Sequence, residues 1–153
     1  MLIDAPGLSV LRVSSVYESP AWGYDSEHDY LNAVVEVNWQ GPPLELANLC
    51  YRIEAAGGRH ERGPVKPGGY RDRPIDLDLL WIEGITCETE RLILPHPRAH
   101  LRSFVLVPWA ELDESVVLNG SRIEDWLDFL PIEDVAELRK VDDVRLDDLL
   151  VKH

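Results

Sequence analysis

Two β-prone stretches stand ahead of any complete helical pattern, and they constrain the fold of this 153-residue chain more than any other feature. Leu8 to Glu18 is rich in Val, Leu and Ser, and Pro20 and Gly23 break it. Tyr30 to Trp39 alternates, with Val35 and Val37 on one face and Val34 and Glu36 on the other. Ser19 to Asp29, between them, is polar and turn-rich. A hairpin-like pair that precedes the first helix predicts an α+β sandwich with a mostly antiparallel sheet, not a doubly wound parallel one.

Further along, Gly41-Pro42-Pro43 opens a helix in which Leu44, Leu46, Leu49, Ile53 and Ala56 recur near helical spacing, and Gly57-Gly58 ends it. Ile75 to Ile82 reads as a strand, Glu83-Gly84 as a turn, Arg91 to Leu94 as a short strand and Arg98 to Arg102 as a helical turn. Two acidic helices, near Ser121–Phe129 and Ile132–Lys140, close the chain. With neither internal repeat nor linker, residues 1–153 are expected to form one domain with its own core, whose acidic helical part is 112–153.

Charge narrows the function. The formal net charge of −13 argues against a nucleic acid as partner, because a phosphate backbone wants a basic face. It leaves room for a nucleotide, since magnesium bridges carboxylates to phosphates. No run approaches the roughly 18 apolar residues of a membrane span, and Cys50 and Cys87 form no disulfide framework or metal spacing, so a reduced, cytoplasmic protein is expected. Arg59 to Arg73 holds five basic residues against two acidic, whereas Glu111 to the end holds thirteen acidic against five basic. The cationic island carries Gly63, Pro64, Pro67, Gly68 and Gly69 and reads as a long mobile loop: either a solvated charged loop or a site for an anion.

Three local patterns carry chemistry. In Ile75-Asp76-Leu77-Asp78-Leu79-Leu80 a strand would project both carboxylates from one face, about 7 Å apart. Such a pair suits magnesium completed by substrate phosphates, and it also describes the solvent face of an edge strand. His96, between Pro95 and Pro97, is presented rigidly and could meet a phosphate or act as an acid, or be a plain hydrogen-bonded histidine. Tyr30 and Asn32 share a strand face and, with Trp22 and Phe104, offer stacking and amide contacts to a flat heterocycle, or simple core packing.

These segments fall in an order that resembles the 6-hydroxymethyl-7,8-dihydropterin pyrophosphokinases of folate biosynthesis. The fragments are Val13-Ser14-Ser15-Val16-Tyr17-Glu18-Ser19-Pro20, Asp29-Tyr30-Leu31-Asn32-Ala33-Val34, Ile53-Glu54 with Gly58-Arg59, Asp72-Arg73-Pro74-Ile75-Asp76-Leu77-Asp78-Leu79-Leu80, Leu94-Pro95-His96-Pro97 and Arg102-Ser103-Phe104-Val105-Leu106. The likeness runs from about Val13 to Glu111. It implies a ferredoxin-like α/β/α sandwich, ATP and the hydroxymethyl-dihydropterin as substrates, and transfer of the terminal diphosphate of ATP with release of AMP. It implies two magnesium ions on Asp76 and Asp78. Asn32 would read the pterin edge between Tyr30 and Phe104, with Ser19, Pro20 and Trp22 lining the pocket. Arg59, Arg73, His96 and Arg102 would contact phosphates, and Glu54 and Arg91 would lie near the nucleotide.

Three departures qualify the match. The loop Glu61–Asp72 is longer than the family's, so either Arg62 or Arg71 takes the second arginine place. Trp22 stands where a smaller aliphatic residue is common. The family's first strand, ending in Gly-Ser-Asn, and most of its first helix align ahead of Met1; the intact family form is a monomer, and this chain is expected to borrow a strand from another copy, to pair strands differently, or else to be a truncated, weakly active form of a protein that begins upstream. A catalytically impaired pterin- or nucleotide-binding relative, and an interaction module whose acidic helices meet a basic partner, are the competing classes.

Overall fold

The computed structural model describes residues 5–19, 30–56 and 76–142, and the chain divides into two compact units, Met1–Trp39 with Pro97–His153 and Gln40–His96. In the first unit, β1 (Leu8–Val13) pairs antiparallel with β4 (Val35–Trp39). Here β2 (Val16–Ser19) lies between β3 (Tyr30–Asn32) and β9 (Arg139–Val141), antiparallel to both. Among the described residues every named strand pair is antiparallel, as the α+β expectation requires.

Each of the two long predicted strands is broken once, at Ser14-Ser15 and at Ala33-Val34, and a side chain explains the break. Buried Ser14 donates its N–H to Val34 O at 2.9 Å, while its hydroxyl accepts from Val34 N at 2.8 Å and donates to Ser15 O at 2.8 Å. A short hydroxyl that can both donate and accept substitutes for ladder bonds and lets the strands bend without orphaned backbone groups. Earlier in β1 the register also slips, from Val10 opposite Val37 to Arg12 opposite Glu36, leaving exposed Leu11 as the extra residue of a bulge.

One helix, α2 (Ser103–Asp113), packs against β2 and β3. The joint is Glu111: its Oε1 accepts from Ser15 N at 2.9 Å and Ser15 Oγ at 2.8 Å, and its Oε2 accepts from Tyr17 OH at 2.8 Å. Arg12 adds a bond to the Leu112 carbonyl at 2.6 Å, satisfying one of the acceptors that a helix end leaves open. Pro108 sits inside α2 and is buried, so the Phe104 carbonyl gets no helical i→i−4 donor from it. Packing of Val105, Leu106 and Trp109 offsets that loss, and these residues join Ala99, Leu118 and Ile123 in the core.

After α2 a two-residue hairpin links β7 (Val117–Leu118) and β8 (Ser121–Arg122). Its turn residues Asn119 and Gly120 have φ of 48° and 85°, the left-handed pair that a tight right-twisting hairpin needs. Next come α3 (Ile123–Phe129) and α4 (Ile132–Ala136). The predicted second acidic helix therefore stops short: Arg139–Val141 is strand β9, because the open edge of β2 supplies ladder partners that a solvated helix turn lacks. The second unit holds α1 (Pro43–Glu54), opened by Pro42 and Pro43 as expected, and the hairpin of β5 (Cys87–Glu88) with β6 (Ile93–Leu94). No described helix is long and apolar enough to cross a membrane.

The Glu111 joint gives a titration signature. Burial, then the hydrogen bond to Glu111 and its charge, push the Tyr17 phenol up to about 12. For Glu111 burial works upward, but the Tyr17 and Ser15 donors outweigh it and hold the carboxyl below its ordinary value. The signs are opposite. Tyr17 keeps its proton more tightly folded than unfolded, so its contribution is complete below an unfolded value of about 10 and fades as pH rises beyond it. Glu111 contributes above an unfolded value of about 4.3 and loses that contribution as acid protonates it. Tyrosinate absorbance should resolve one phenol titrating near 12, and Glu111→Ala should lower that midpoint. An unmoved midpoint in the variant would refute the joint.

Candidate functional site

In the first unit the pairing itself assembles one face. Tyr17 lies opposite Asn32 and Ser19 opposite Tyr30, so these four side chains project to the same side of β2 and β3. Ser15 shares that side by alternation, and Ser15 and Tyr17 both reach Glu111 of α2. The face that carries Tyr30 and Asn32 is therefore the face on which α2 packs. Asn32 is half-buried, whereas Tyr30 keeps 57% of its surface exposed. Phe104, the second residue of α2, is half-buried, and the Arg102 guanidinium lies 5.6 Å from its ring centroid. That is cation–π range, and it covers one side of the ring.

The second unit gathers the carboxylates. Residues 76–81 belong to no strand, so the expected Ile75–Ile82 strand is not formed over the described part; only Ile82 bridges, to Ile85. The reason lies in where the backbone groups go. Leu77 N donates to Glu54 Oε1 at 2.7 Å, and His96 N donates to Leu80 O at 2.7 Å. Side-chain and loop partners have taken the place of a ladder. The in-and-out pattern survives: Asp76 and Asp78 are exposed, Leu77 and Leu79 half-buried.

Glu54, the last residue of α1, is only 4% exposed. A buried carboxylate is costly unless hydrogen-bonded, and the Leu77 amide between the two aspartates supplies a bond. Glu54 thus holds the backbone on which Asp76 and Asp78 stand. One turn earlier, burial followed by the charges of Glu54 and Asp78 raises the Cys50 thiol, which stays protonated and unreactive near neutrality.

Two exposed carboxylates at alternate positions, without a third His, Cys, Asp or Glu clustered for metal binding among the described residues, are a hard-oxygen donor set that needs completing. That suits magnesium, which retains waters and shares substrate phosphates, better than a metal wanting a closed protein cage. His96 stands beside this segment through its own amide. Its Leu94–Pro95 neighbour is a cis peptide. Exposed Arg91 sits at the tip of the β5–β6 hairpin, whose turn is closed by Thr89 N to Leu92 O at 2.9 Å. Ser19 ends β2, while Pro20, Trp22, Arg59, Arg62, Arg71 and Arg73, with the whole expected lid, lie outside the described residues.

Sequence reasoning passed over Glu54's backbone bond and the Glu111 joint, because neither has a local pattern; a glutamate on a helix announces no partner. It also passed over the Asn119-Gly120 hairpin, for which the dipeptide itself was a signal. Glu54→Ala should lower stability by up to about 1–3 kcal/mol by leaving a part-buried N–H unsatisfied, and should raise the exchange rate of the Leu77 amide. Glu54→Gln, which keeps an acceptor oxygen, should restore most of both. Urea melts and amide exchange measure this, and an Ala variant with native exchange at Leu77 would show that the bond does not hold the segment.

Comparison with known proteins gives the relatives of this chain. Residues 2–114 match the model of the 7,8-dihydro-6-hydroxymethylpterin-pyrophosphokinase family. The 2-amino-4-hydroxy-6-hydroxymethyldihydropteridine pyrophosphokinase of Methylorubrum extorquens is 37% identical over 126 residues, covering 82% of this chain and 77% of that protein. The enzyme of the same name from Bacillus subtilis is 38% identical over 124 residues, covering 81% and 71%. That of Mycobacterium leprae is 36% identical over 161 aligned positions, covering 98% and 81%.

Proposed function

This chain belongs to the 7,8-dihydro-6-hydroxymethylpterin-pyrophosphokinase family, and from that premise we propose that it transfers the terminal diphosphate of ATP to 6-hydroxymethyl-7,8-dihydropterin in folate biosynthesis. The observation that carries the assignment of parts is the pinned pair, Asp76 and Asp78, exposed on a segment held by Glu54 at Leu77 and by His96 at Leu80. The pterin hydroxyl oxygen bonds to the β-phosphorus as the bond from that phosphorus to the oxygen bridging it to the α-phosphate breaks. AMP leaves, and the hydroxyl proton is lost.

Asp76 and Asp78 would hold two magnesium ions, which when bound neutralise the triphosphate and the charge that develops on the leaving AMP. Everything else the protein does is positioning. Pinning Leu77 and Leu80 fixes the two carboxylates before any ligand arrives, so little ordering is required at the moment of reaction. His96 and Arg102 are assigned to phosphate oxygens, Arg91 to the nucleotide's surroundings, and Arg59 and Arg73, with Arg62 or Arg71, to the transferred group. On the other substrate, Asn32 reads the donor–acceptor edge of the pterin while Tyr30 and Phe104 take its faces. Arg102 already occupies one side of Phe104, so the heterocycle stacks on the other.

Asp76→Ala and Asp78→Ala should each abolish AMP release, at a cost of several kcal/mol in transition-state stabilisation, while leaving the fold intact. AMP release near the wild-type rate in either would withdraw the metal assignment. For the pterin, Phe104→Ala or Asn32→Ala should raise the dissociation constant about tenfold or more, since a lost stack or an unpaired polar group costs ~1–3 kcal/mol. Calorimetry in the presence of a non-hydrolysable ATP analogue decides it, and wild-type affinity in both variants would place the pocket elsewhere.

A further inference from the structure

The segment beyond the family match contains a built contact that nothing in the proposed chemistry uses. Between His96 and α2 runs a 3₁₀ turn, Ala99–Leu101, that touches both α2 and α3. Ala99 in it is fully buried, and Arg102 N returns to Ala99 O at 3.4 Å. The Arg102 carbonyl then accepts from Val105 N at 3.1 Å and Leu106 N at 3.0 Å, so this turn leads without slack into the first turn of α2. Any displacement of the turn is passed to Arg102 and Phe104.

His100, at the centre of that turn, is held from two sides. Its ring lies against Trp126 of α3, with centroids 4.7 Å apart and planes inclined at 55°. Its Nδ1 is 3.0 Å from the Asn119 side-chain amide nitrogen. An amide N–H₂ group only donates, so Nδ1 is the acceptor of this contact. Both partners are themselves fixed. Trp126 Nε1 donates to Leu118 O at 2.6 Å, and Asn119 is locked in the left-handed conformation of the β7–β8 turn with φ of 48°. Asn119, Leu118 and Trp126 all lie after residue 114, where the family match ends.

We propose that His100 is a positioning residue for the pterin subsite: Asn119 and Trp126 clamp its imidazole, and the clamp sets the angle at which the Phe104 ring meets the heterocycle. This rests on the assignment of Phe104 as a stacking residue. It gives the β7–β8 hairpin and α3 a part in substrate recognition, through the turn they brace and without touching substrate. A stacked ring tolerates tilt poorly, whereas a long guanidinium such as Arg102 adjusts, so the clamp is expected to act on the pterin more than on the nucleotide.

Three variants separate the outcomes. His100→Ala removes the clamp, Asn119→Gly removes the amide while keeping a backbone that accepts positive φ, and His100→Asn keeps an acceptor near the Nδ1 position. Calorimetry with a non-hydrolysable ATP analogue present should show pterin affinity falling roughly tenfold in His100→Ala, with nucleotide affinity alone changing less than about threefold, as a misplaced contact demands. Asn119→Gly should weaken the pterin in the same direction, and the double variant should fall short of the sum because both act through one contact. His100→Asn should recover affinity only where Asn119 is present. Should His100→Ala fail to fold, Asn119→Gly and His100→Asn carry the decision. Wild-type pterin affinity in the clamp variants, while Phe104→Ala still weakens binding, would overturn the inference alone. Equal loss of both ligands alongside a lowered melt would reduce the clamp to a structural brace and overturn it too. Unchanged affinity in Phe104→Ala would instead remove the stacking assignment on which the inference stands.

Discussion

One carboxylate joins helix to sheet in the first unit. Glu111 accepts from the Ser15 amide, the Ser15 hydroxyl and the Tyr17 phenol, so two donors just ahead of β2 and one within it converge on one residue of α2. A charged acceptor makes stronger hydrogen bonds than a neutral one, and three of them resist sliding as well as separation. Apolar burial beneath α2 fixes that the helix packs; it is non-directional and does not fix where. The Glu111 contacts do. Because Asn32 lies opposite Tyr17, the same contacts decide that the Asn32 face is the one α2 covers and that Phe104 belongs to the helix lying on it.

An acidic protein of this kind separates its carboxylates by environment. Glu54 is buried and turned inward to a backbone amide, Glu111 is spent on the sheet, and Asp76 and Asp78 stay exposed. The first two are structural acceptors. The last two stand at alternate positions on a segment held by backbone bonds at Leu77 and Leu80.

Residues beyond the family match extend this pattern of support. The Asn119-Gly120 hairpin and α3 brace the turn that feeds α2, and β9 covers an edge of β2 that would otherwise present unpaired backbone groups. The sequence leads one to expect acidic helices there; the structure has α3 and a short α4, with β7 and β8 ahead of them and β9 after. Lys140 and Val141 carry no strong pattern of their own; their pairing with Tyr17 and Val16 settles them as strand.

Much of the molecule was written locally. Prolines 42 and 43 open α1, the alternation of Tyr30 to Trp39 gives an antiparallel partner to the first stretch, and Asp76-Leu77-Asp78 puts carboxylates out and leucine in. These follow from φ restriction and from the two-residue period of extended chain, which need no knowledge of distant residues. The ordered fragments from Val13 to Leu106 likewise identified the family, because the spacing of functional side chains is a property of the chain itself. What the sequence could not decide were contacts across long separations. Ser14 bonding Val34 breaks both long strands, Glu54 bonding Leu77 replaces a ladder with a pinned loop, and Glu111 bonding Tyr17 chooses the covered face. Serine, glutamate and tyrosine have many acceptable partners, and none is preferred until tertiary packing has excluded water from all but one.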